Sequence, residues 1–196
     1  PGDLMTARVE REGDEAALKM LNPEGAAAIE GTAGMGKAAW FGELTEARRR
    51  DAEVRPETLP ILTLETAPEM ADLRPMPLPF TVEDAATYAR EKQKDESALF
   101  AGPGALVHPG WIAARMTPLL KHSFQYGPSI HIRTQVQHLA PAKAGQTFTV
   151  AGTFLRAYEQ NGHHVAELDG SLLADDGTEC ARLRHTTIFR IRPPKA

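Results

Sequence analysis

The feature that most constrains this chain is an apolar helical segment followed by several segments that alternate between polar and apolar residues. Between Trp111 and Leu120, apolar side chains occupy nearly the whole circumference of a helix, so this helix must be buried on most sides. Residues 147–159 then alternate with period two, as a strand does. The sequence therefore predicts one α+β domain in which a twisted antiparallel sheet wraps around a single helix.

The boundaries of these elements follow from local signals. Strands are predicted at residues 129–139, 147–159, 163–174 and 179–191. The turn signals Asn161-Gly162 and Asp175-Asp176-Gly177 join the last three strands into two successive hairpins. His108-Pro109-Gly110 opens the buried helix, because proline is tolerated in a first helical turn, and Pro118 predicts a kink or an early end. Thr81 is the predicted N-cap of an earlier helix at residues 83–94.

The chain before Phe80 is less regular. Residues 4–12, 16–21 and 26–33 predict a meander of three short strands, and residues 37–50 have the spacing of a short amphipathic helix. Prolines recur between residues 52 and 79, which indicates an extended connector. We therefore expect a strand meander at 1–36, a helix and proline-rich connector at 37–79, and the α+β domain at 80–192.

Composition excludes several classes of function. The net charge is −4, and the basic residues are scattered apart from Arg48 to Arg50, so we expect no nucleic-acid partner. No apolar run approaches the roughly 20 residues of a membrane helix, so no membrane association is expected. Cys180 is the only cysteine, which fits a reducing, cytoplasmic compartment. The histidines lack metal-site spacing, so we expect no metal.

Candidate chemistry concentrates at the entrance of the buried helix. The free amides of Gly110 and Trp111 would favour negative charge there, as on a polarised thioester oxygen, and His108 lies beside them. An ordinary helix cap would have the same pattern. Asp95 follows the preceding helix and is a candidate carboxylate partner or simply a solvated residue. His185 lies on the apolar face of a strand, where a core histidine is commoner than a catalytic one.

A second motif, Gly31-Thr-Ala-Gly-Met-Gly-Lys37, has the spacing of a phosphate-binding loop up to its lysine. Ala38 replaces the hydroxyl residue that would hold Mg²⁺, and the surroundings predict hairpins. A flexible exit from a strand is the stronger interpretation, and nucleotide hydrolysis is a minor hypothesis.

Several segments resemble the MaoC-like acyl-CoA hydratases and dehydratases, which have the hotdog fold. Val107-His-Pro-Gly-Trp-Ile-Ala-Ala114 resembles their helix entrance, residues 138–150 resemble their strand-turn-strand signature, and residues 80–89 look like their lead-in helix. The resemblance implies an acyl-CoA or acyl-carrier thioester as ligand and no other cofactor. An isolated hotdog would leave sheet edges exposed, so we expect a homodimer or larger homo-oligomer, or a second hotdog unit, as partner. Residues 1–36 are then either the last strands of a first unit in a double hotdog or an ordinary meander.

The chain departs from the family at one site position. The hydratases have an aspartate and a histidine five residues apart; Asp95 matches the aspartate, but Phe100 stands where the histidine is expected. A hydratase mechanism would then use His108 as acid or base, Asp95 as its partner and the Gly110 amide as oxyanion donor, with Trp111 and His185 as further candidates. A thioesterase and a non-catalytic acyl-CoA binding module are the alternatives.

Overall fold

The computed structural model describes residues 4–193 and divides the chain into two compact units, Pro1–Gly42 and Glu43–Ala196. In the described part, no helix is long and apolar enough to cross a membrane.

The first unit is an antiparallel meander of three strands. Strands β1 (Thr6–Glu12), β2 (Glu15–Leu21) and β3 (Ala27–Gly34) follow one another as predicted, and the Asn22 side chain closes the second turn by accepting from the Ala26 amide. Gly31 and Gly34 lie inside β3, and a 3₁₀ helix follows at Ala39–Glu43. The first two glycines of the motif therefore belong to a strand, and the helix that follows is a short 3₁₀ helix, whereas a phosphate-binding loop places its glycines in a loop that opens an α-helix.

The second unit contains a six-stranded antiparallel sheet. Its strands are β4 (Ala71–Asp72), β5 (Met76–Phe80), β6 (Ile130–His138), β7 (Gln146–Gln160), β8 (His163–Leu173) and β9 (Glu179–Arg190). The order across the sheet is β4, β7, β8, β9, β6, and β5 pairs with β7 beside β4. The four long strands are confirmed at the predicted positions, and the loop between β7 and β8 turns at Asn161-Gly162, with Asn161 at a positive φ of 54°.

The proline-rich segment supplies part of this unit. Strand β5 contains Pro77 and Pro79, which pair opposite Thr149 and Thr147 of β7. Proline is tolerated there because β5 has a neighbour on one side only. Leu62, Leu73 and Met76 join the hydrophobic core. The compact unit thus begins at Glu43, ahead of the expected start at Phe80.

Three α-helices lie between β5 and β6. Helix α1 (Val82–Thr87) begins at the predicted cap, where Thr81 and Asp84 form a reciprocal capping box, and a π-helical turn (Tyr88–Gln93) extends it. The predicted central helix is divided into α2 (Pro109–Ala113) and α3 (Met116–Ser123). The break falls four residues before Pro118, whose ring excludes a continuous helix at the Ala114 carbonyl.

Helix α3 is the central helix of the domain. Met116, Leu119 and Leu120 are fully buried and pack with the inner face of the sheet, including Phe148 and Phe154. The prediction of a sheet wrapped around one apolar helix is confirmed.

The prediction of an amphipathic helix at residues 37–50 is wrong beyond the short 3₁₀ turn. Tertiary polar contacts hold the rest of this segment in another conformation. The Thr45 amide donates to the buried carboxylate of Asp169 (2.7 Å), and Arg184 binds the same carboxylate with two nitrogens at 2.8 Å. These contacts satisfy a backbone donor that a helix would otherwise have used.

Candidate active site

His108 caps helix α2 with its own side chain. Its Nδ1 accepts a hydrogen bond from the Gly110 amide at 2.9 Å, and Pro109 occupies the first helical turn. A side chain at position 110 would crowd the imidazole and Gln93, so glycine permits this close approach. Because Nδ1 accepts, the neutral imidazole carries its proton on Nε2.

The Nε2 atom of His108 faces a carboxylate. It lies 3.6 Å from Oδ2 of Asp95. Asp95 follows Lys94, which ends the π-helical turn in a left-handed conformation, and its Oδ1 accepts from the Ser97 amide at 2.8 Å. The Asp95 side chain is 36% exposed and that of His108 is 16% exposed, so the pair lies at an accessible edge of the core. The structure therefore brings together the two residues predicted as proton-transfer groups.

Two aromatic rings flank the imidazole. The Phe100 ring lies 4.8 Å from the His108 ring and the Tyr88 ring lies 5.9 Å from it, centroid to centroid. The Tyr88 hydroxyl accepts from the side-chain amide of Gln93 at 3.0 Å. Phe100, which stands at the expected histidine position, thus packs against the histidine that is present.

The amides expected to be free at the helix entrance have partners. The Gly110 amide binds His108 Nδ1, and the Trp111 amide donates to the His108 carbonyl at 2.9 Å. The indole of Trp111 is buried against Phe80, with ring centroids 4.3 Å apart, so its side chain belongs to the core. A doubly protonated His108 would have no acceptor at Nδ1, so protonation at Nδ1 would release the Gly110 amide.

An apolar groove of about 450 Å³ adjoins the pair. Phe100 lines it together with Val107 and Pro109, the residues on either side of His108, and the loop after β6 forms the opposite wall. Leu99 and Leu139 at this groove are more than one third exposed. The loop wall could not be predicted from the sequence, because no local sequence pattern indicates that residues 138–142 lie opposite residues 99–112.

Comparisons with known proteins bear on the fold. No protein-family model matches the chain, and no curated protein matches it. Among solved structures, an R-hydratase, PhaJ1 from Pseudomonas aeruginosa, is 9% identical with a TM-score of 0.56, over 70% of this chain and 97% of that one. The (R)-hydratase from A. caviae involved in PHA biosynthesis is 14% identical with a TM-score of 0.51, over 63% of this chain and 98% of that one. The ChsH1-ChsH2 complex from Mycobacterium tuberculosis is 12% identical with a TM-score of 0.52, over 64% of this chain and 100% of the matched one.

The chain has a hotdog fold. Sequence identities this low establish the architecture and leave the chemistry to be argued from the site. The predicted fold class is confirmed, and the candidate site lies where the chain enters α2.

His185 does not join that site. It is 1% exposed on β9, and its two ring nitrogens lie 3.0 Å from Thr117 Oγ1 on α3 and 2.8 Å from Thr134 Oγ1 on β6. Burial, together with the neighbouring His131, lowers the pKa of His185 to about 3. A neutral, fully hydrogen-bonded ring of this kind ties the central helix of the hotdog to its sheet.

Arg115 is a residue that sequence reasoning missed. It lies between α2 and α3, stacks on the indole of Trp111 and donates from Nε to the Trp111 carbonyl at 2.7 Å. Arg115 is the one arginine of an apolar segment that contains no acidic residue. This isolated positive charge was the only sequence signal that it has a function.

Proposed function

We propose that this hotdog is an acyl-thioester hydratase or dehydratase in which His108 and Asp95 transfer the protons. The observation that carries the proposal is the pairing of His108 Nε2 with Asp95 Oδ2 at 3.6 Å, next to an apolar groove. Addition of water to an enoyl thioester needs one group that takes a proton from water and one that gives a proton to carbon. An imidazole and a carboxylate this close can fill both roles.

The groove supplies a place for the apolar part of such a substrate. Its lining is almost entirely apolar, as expected of a pocket that holds an acyl chain. Phe100 lines the groove and its ring lies 4.8 Å from that of His108, so a chain in the groove would lie next to the imidazole.

The proton transfers balance within the pair. In the hydration direction the Asp95 carboxylate takes a proton from water as the hydroxide oxygen bonds to C3. A doubly protonated His108 then gives a proton to C2, and the proton on Asp95 passes back to His108. While His108 is doubly protonated, its Nδ1 no longer accepts from Gly110. The freed Gly110 amide can then donate to the thioester oxygen as negative charge develops there.

A non-catalytic acyl-thioester binding module is the second candidate. Two observations favour it: Phe100 fills the histidine position with an inert ring against His108, and the Gly110 amide is engaged in the structure. The module would bind thioesters in the groove without converting them.

A single assay separates these functions. Purified protein is incubated with enoyl-CoA thioesters while the enoyl absorbance and free thiol are followed together. Loss of enoyl absorbance without thiol release supports the hydratase, and thiol release supports a thioesterase. Thermal stabilisation by the thioester without turnover supports the binding module.

The variants His108→Ala and Asp95→Asn test the assignment. Each removes one proton-transfer group, so we expect a loss of about 100-fold or more in kcat for either. The matched control is Glu96→Gln, which neutralises the exposed carboxylate next to Asp95 and should leave kcat within about twofold. Full activity in both site variants would contradict the proposed mechanism.

We further propose that the hotdog acts with a second hotdog unit. The matched chain of the ChsH1-ChsH2 structure comes from a complex. Within residues 4–193, β6 ends the sheet with one side unpaired, and Ile130 and Ile132 on it are about half exposed. An exposed edge strand with apolar residues favours association.

A further inference from the structure

The guanidinium of Arg115 is held in a fixed orientation. Its central carbon lies 4.1 Å from the centre of the Trp111 ring, and its Nε is tied to the Trp111 carbonyl at 2.7 Å. Stacking and this hydrogen bond together restrain the plane of the group. The two Nη atoms form the remaining donor fork.

That fork has no acidic partner within residues 4–193. The ion pairs of the described chain engage other arginines, and the hydrogen bond to Trp111 is directed to a backbone carbonyl. The side chain is nevertheless only partly exposed. Burial lowers the pKa of Arg115 to about 10, while Tyr88 favours the charged form, so the group is a cation at neutral pH. Partly buried cations are commonly paired with an anion.

The cation lies on the same side of the domain as the proposed proton-transfer pair. Tyr88 interacts with Arg115 electrostatically and its ring lies 5.9 Å from that of His108. His108 caps the start of α2 and Arg115 lies two residues beyond its end, so they are seven positions apart, roughly 10 Å along a helix. A thioester ligand longer than roughly 10 Å that reaches His108 is therefore long enough to reach the Arg115 fork.

We propose that Arg115 binds an anionic oxygen group, a carboxylate or a phosphate, of the thioester ligand. This inference rests on the proposed function and specifies its substrate class. A planar fork with two free donors is the geometry that arginine uses to bind carboxylates and phosphates in a bidentate manner. The anion has two chemical sources: the phosphate of the pantetheine arm, or a second carboxylate at the far end of the acyl group.

Equilibrium binding by calorimetry distinguishes the sources without relying on turnover. The probes are butyryl-pantetheine, which is neutral, butyryl-4′-phosphopantetheine, which adds a phosphate, and glutaryl-pantetheine, which adds a carboxylate. We expect Arg115→Gln to weaken binding of one anionic probe by roughly tenfold or more, because a charge-assisted bidentate contact is lost. Binding of the neutral probe should be unchanged, which also shows that the variant is folded. The anionic probe whose binding is weakened by Arg115→Gln shows whether the anion is the phosphate or the carboxylate.

Two further variants sharpen the test. Arg115→Lys keeps the charge and loses the fork, so it should restore only part of the affinity. Arg90→Gln is the matched control, since Arg90 is an exposed arginine on the preceding helical turn, and it should bind all three probes as the parent does. Equal affinities of the parent and Arg115→Gln for both anionic probes would overturn the inference. Enoyl hydration measured in parallel shows separately whether the proposed function stands.

Discussion

His185 has an environment that makes stability depend on pH. The ring is buried between Thr117 and Thr134, and its pKa is lowered to about 3 by burial, with a further contribution from His131. In the unfolded chain the same histidine takes up a proton near pH 6.5. Between these values the unfolded state binds more protons, so the free energy of unfolding falls as the pH is lowered from about 6.5 toward 3.

We expect this residue alone to remove about 1.4 kcal/mol of stability for each pH unit below 6.5, or about 2 kcal/mol at pH 5. His185→Gln retains hydrogen-bonding groups but does not titrate. It should be less stable than the parent at pH 7.5, and the difference should shrink or reverse by pH 5. Denaturant unfolding at pH 7.5, 6 and 5 measures this, and identical pH slopes for the two proteins would contradict it.

The residues of the site were predictable from sequence to different degrees. His108 and Asp95 could be found because helix entrances and helix ends leave local signals, and the structure places them 3.6 Å apart. The capture of the Gly110 amide by His108 could not be foreseen, because it depends on a side-chain rotamer. Arg115 was missed because its only sequence signal, one arginine in an apolar segment, does not show that its guanidinium lacks an acidic partner in the described part of the fold.

The contact between α3 and the sheet depends on two glycines. Gly152 of β7 and Gly170 of β8 are cross-strand partners, and α3 lies over them with Leu119 and Met116. A Cβ on Gly152 would meet the Asp169 backbone oxygen, which cannot move without distorting the sheet. A Cβ on Gly170 would first meet the flexible end of Met116, although the Ala151 oxygen is also close at 2.9 Å.

Gly152→Ala should therefore be the more destabilising of the two substitutions. We expect a loss of about 3 kcal/mol for Gly152→Ala and about 1 to 2 kcal/mol for Gly170→Ala, because overpacking against backbone relaxes less than overpacking against a side-chain end. Denaturant midpoints at constant m-value give both numbers. The reverse order would show that the core around Met116 is the more rigid of the two contacts.

At the scale of elements, the regular segments were predictable and the segments held by tertiary contacts were not. Strands β6 to β9 follow from alternation and turn residues, which act locally. The prolines of β5 predict an extended connector, because proline is excluded from a central strand. An edge strand, which β5 is, accepts proline. Residues 37–50 have helical spacing, but Asp169 binds the Thr45 amide from 124 residues away. Distant contacts of this kind override local preference.

The N-terminal meander is amphipathic when considered by itself. Val9 pairs with Leu18 across the strands, and Met20 pairs with Ile29, so these four side chains lie on one face of the sheet. The other face carries charged side chains: Arg8, Glu10, Lys19 and Glu30. Val9 and Ile29 are more than 60% exposed. A three-stranded sheet is stabilised when its hydrophobic face is covered. We therefore expect another surface to pack against this face.

We expect the chain to associate through this face, either with a second copy or with another hotdog unit. The double variant Val9→Lys, Ile29→Lys places two charges on the apolar face, and Thr6→Lys, Thr32→Lys places the same charge on the polar face. Light scattering after size exclusion should give a dimer or larger particle for the parent and the polar-face control, and a smaller particle for the apolar-face variant. Loss of association only in the apolar-face variant assigns the contact to the meander. Equal masses for both variants and an associated parent would instead place the contact elsewhere, with the unpaired edge of β6 as the next surface to charge. A monomeric parent would contradict self-association through this face.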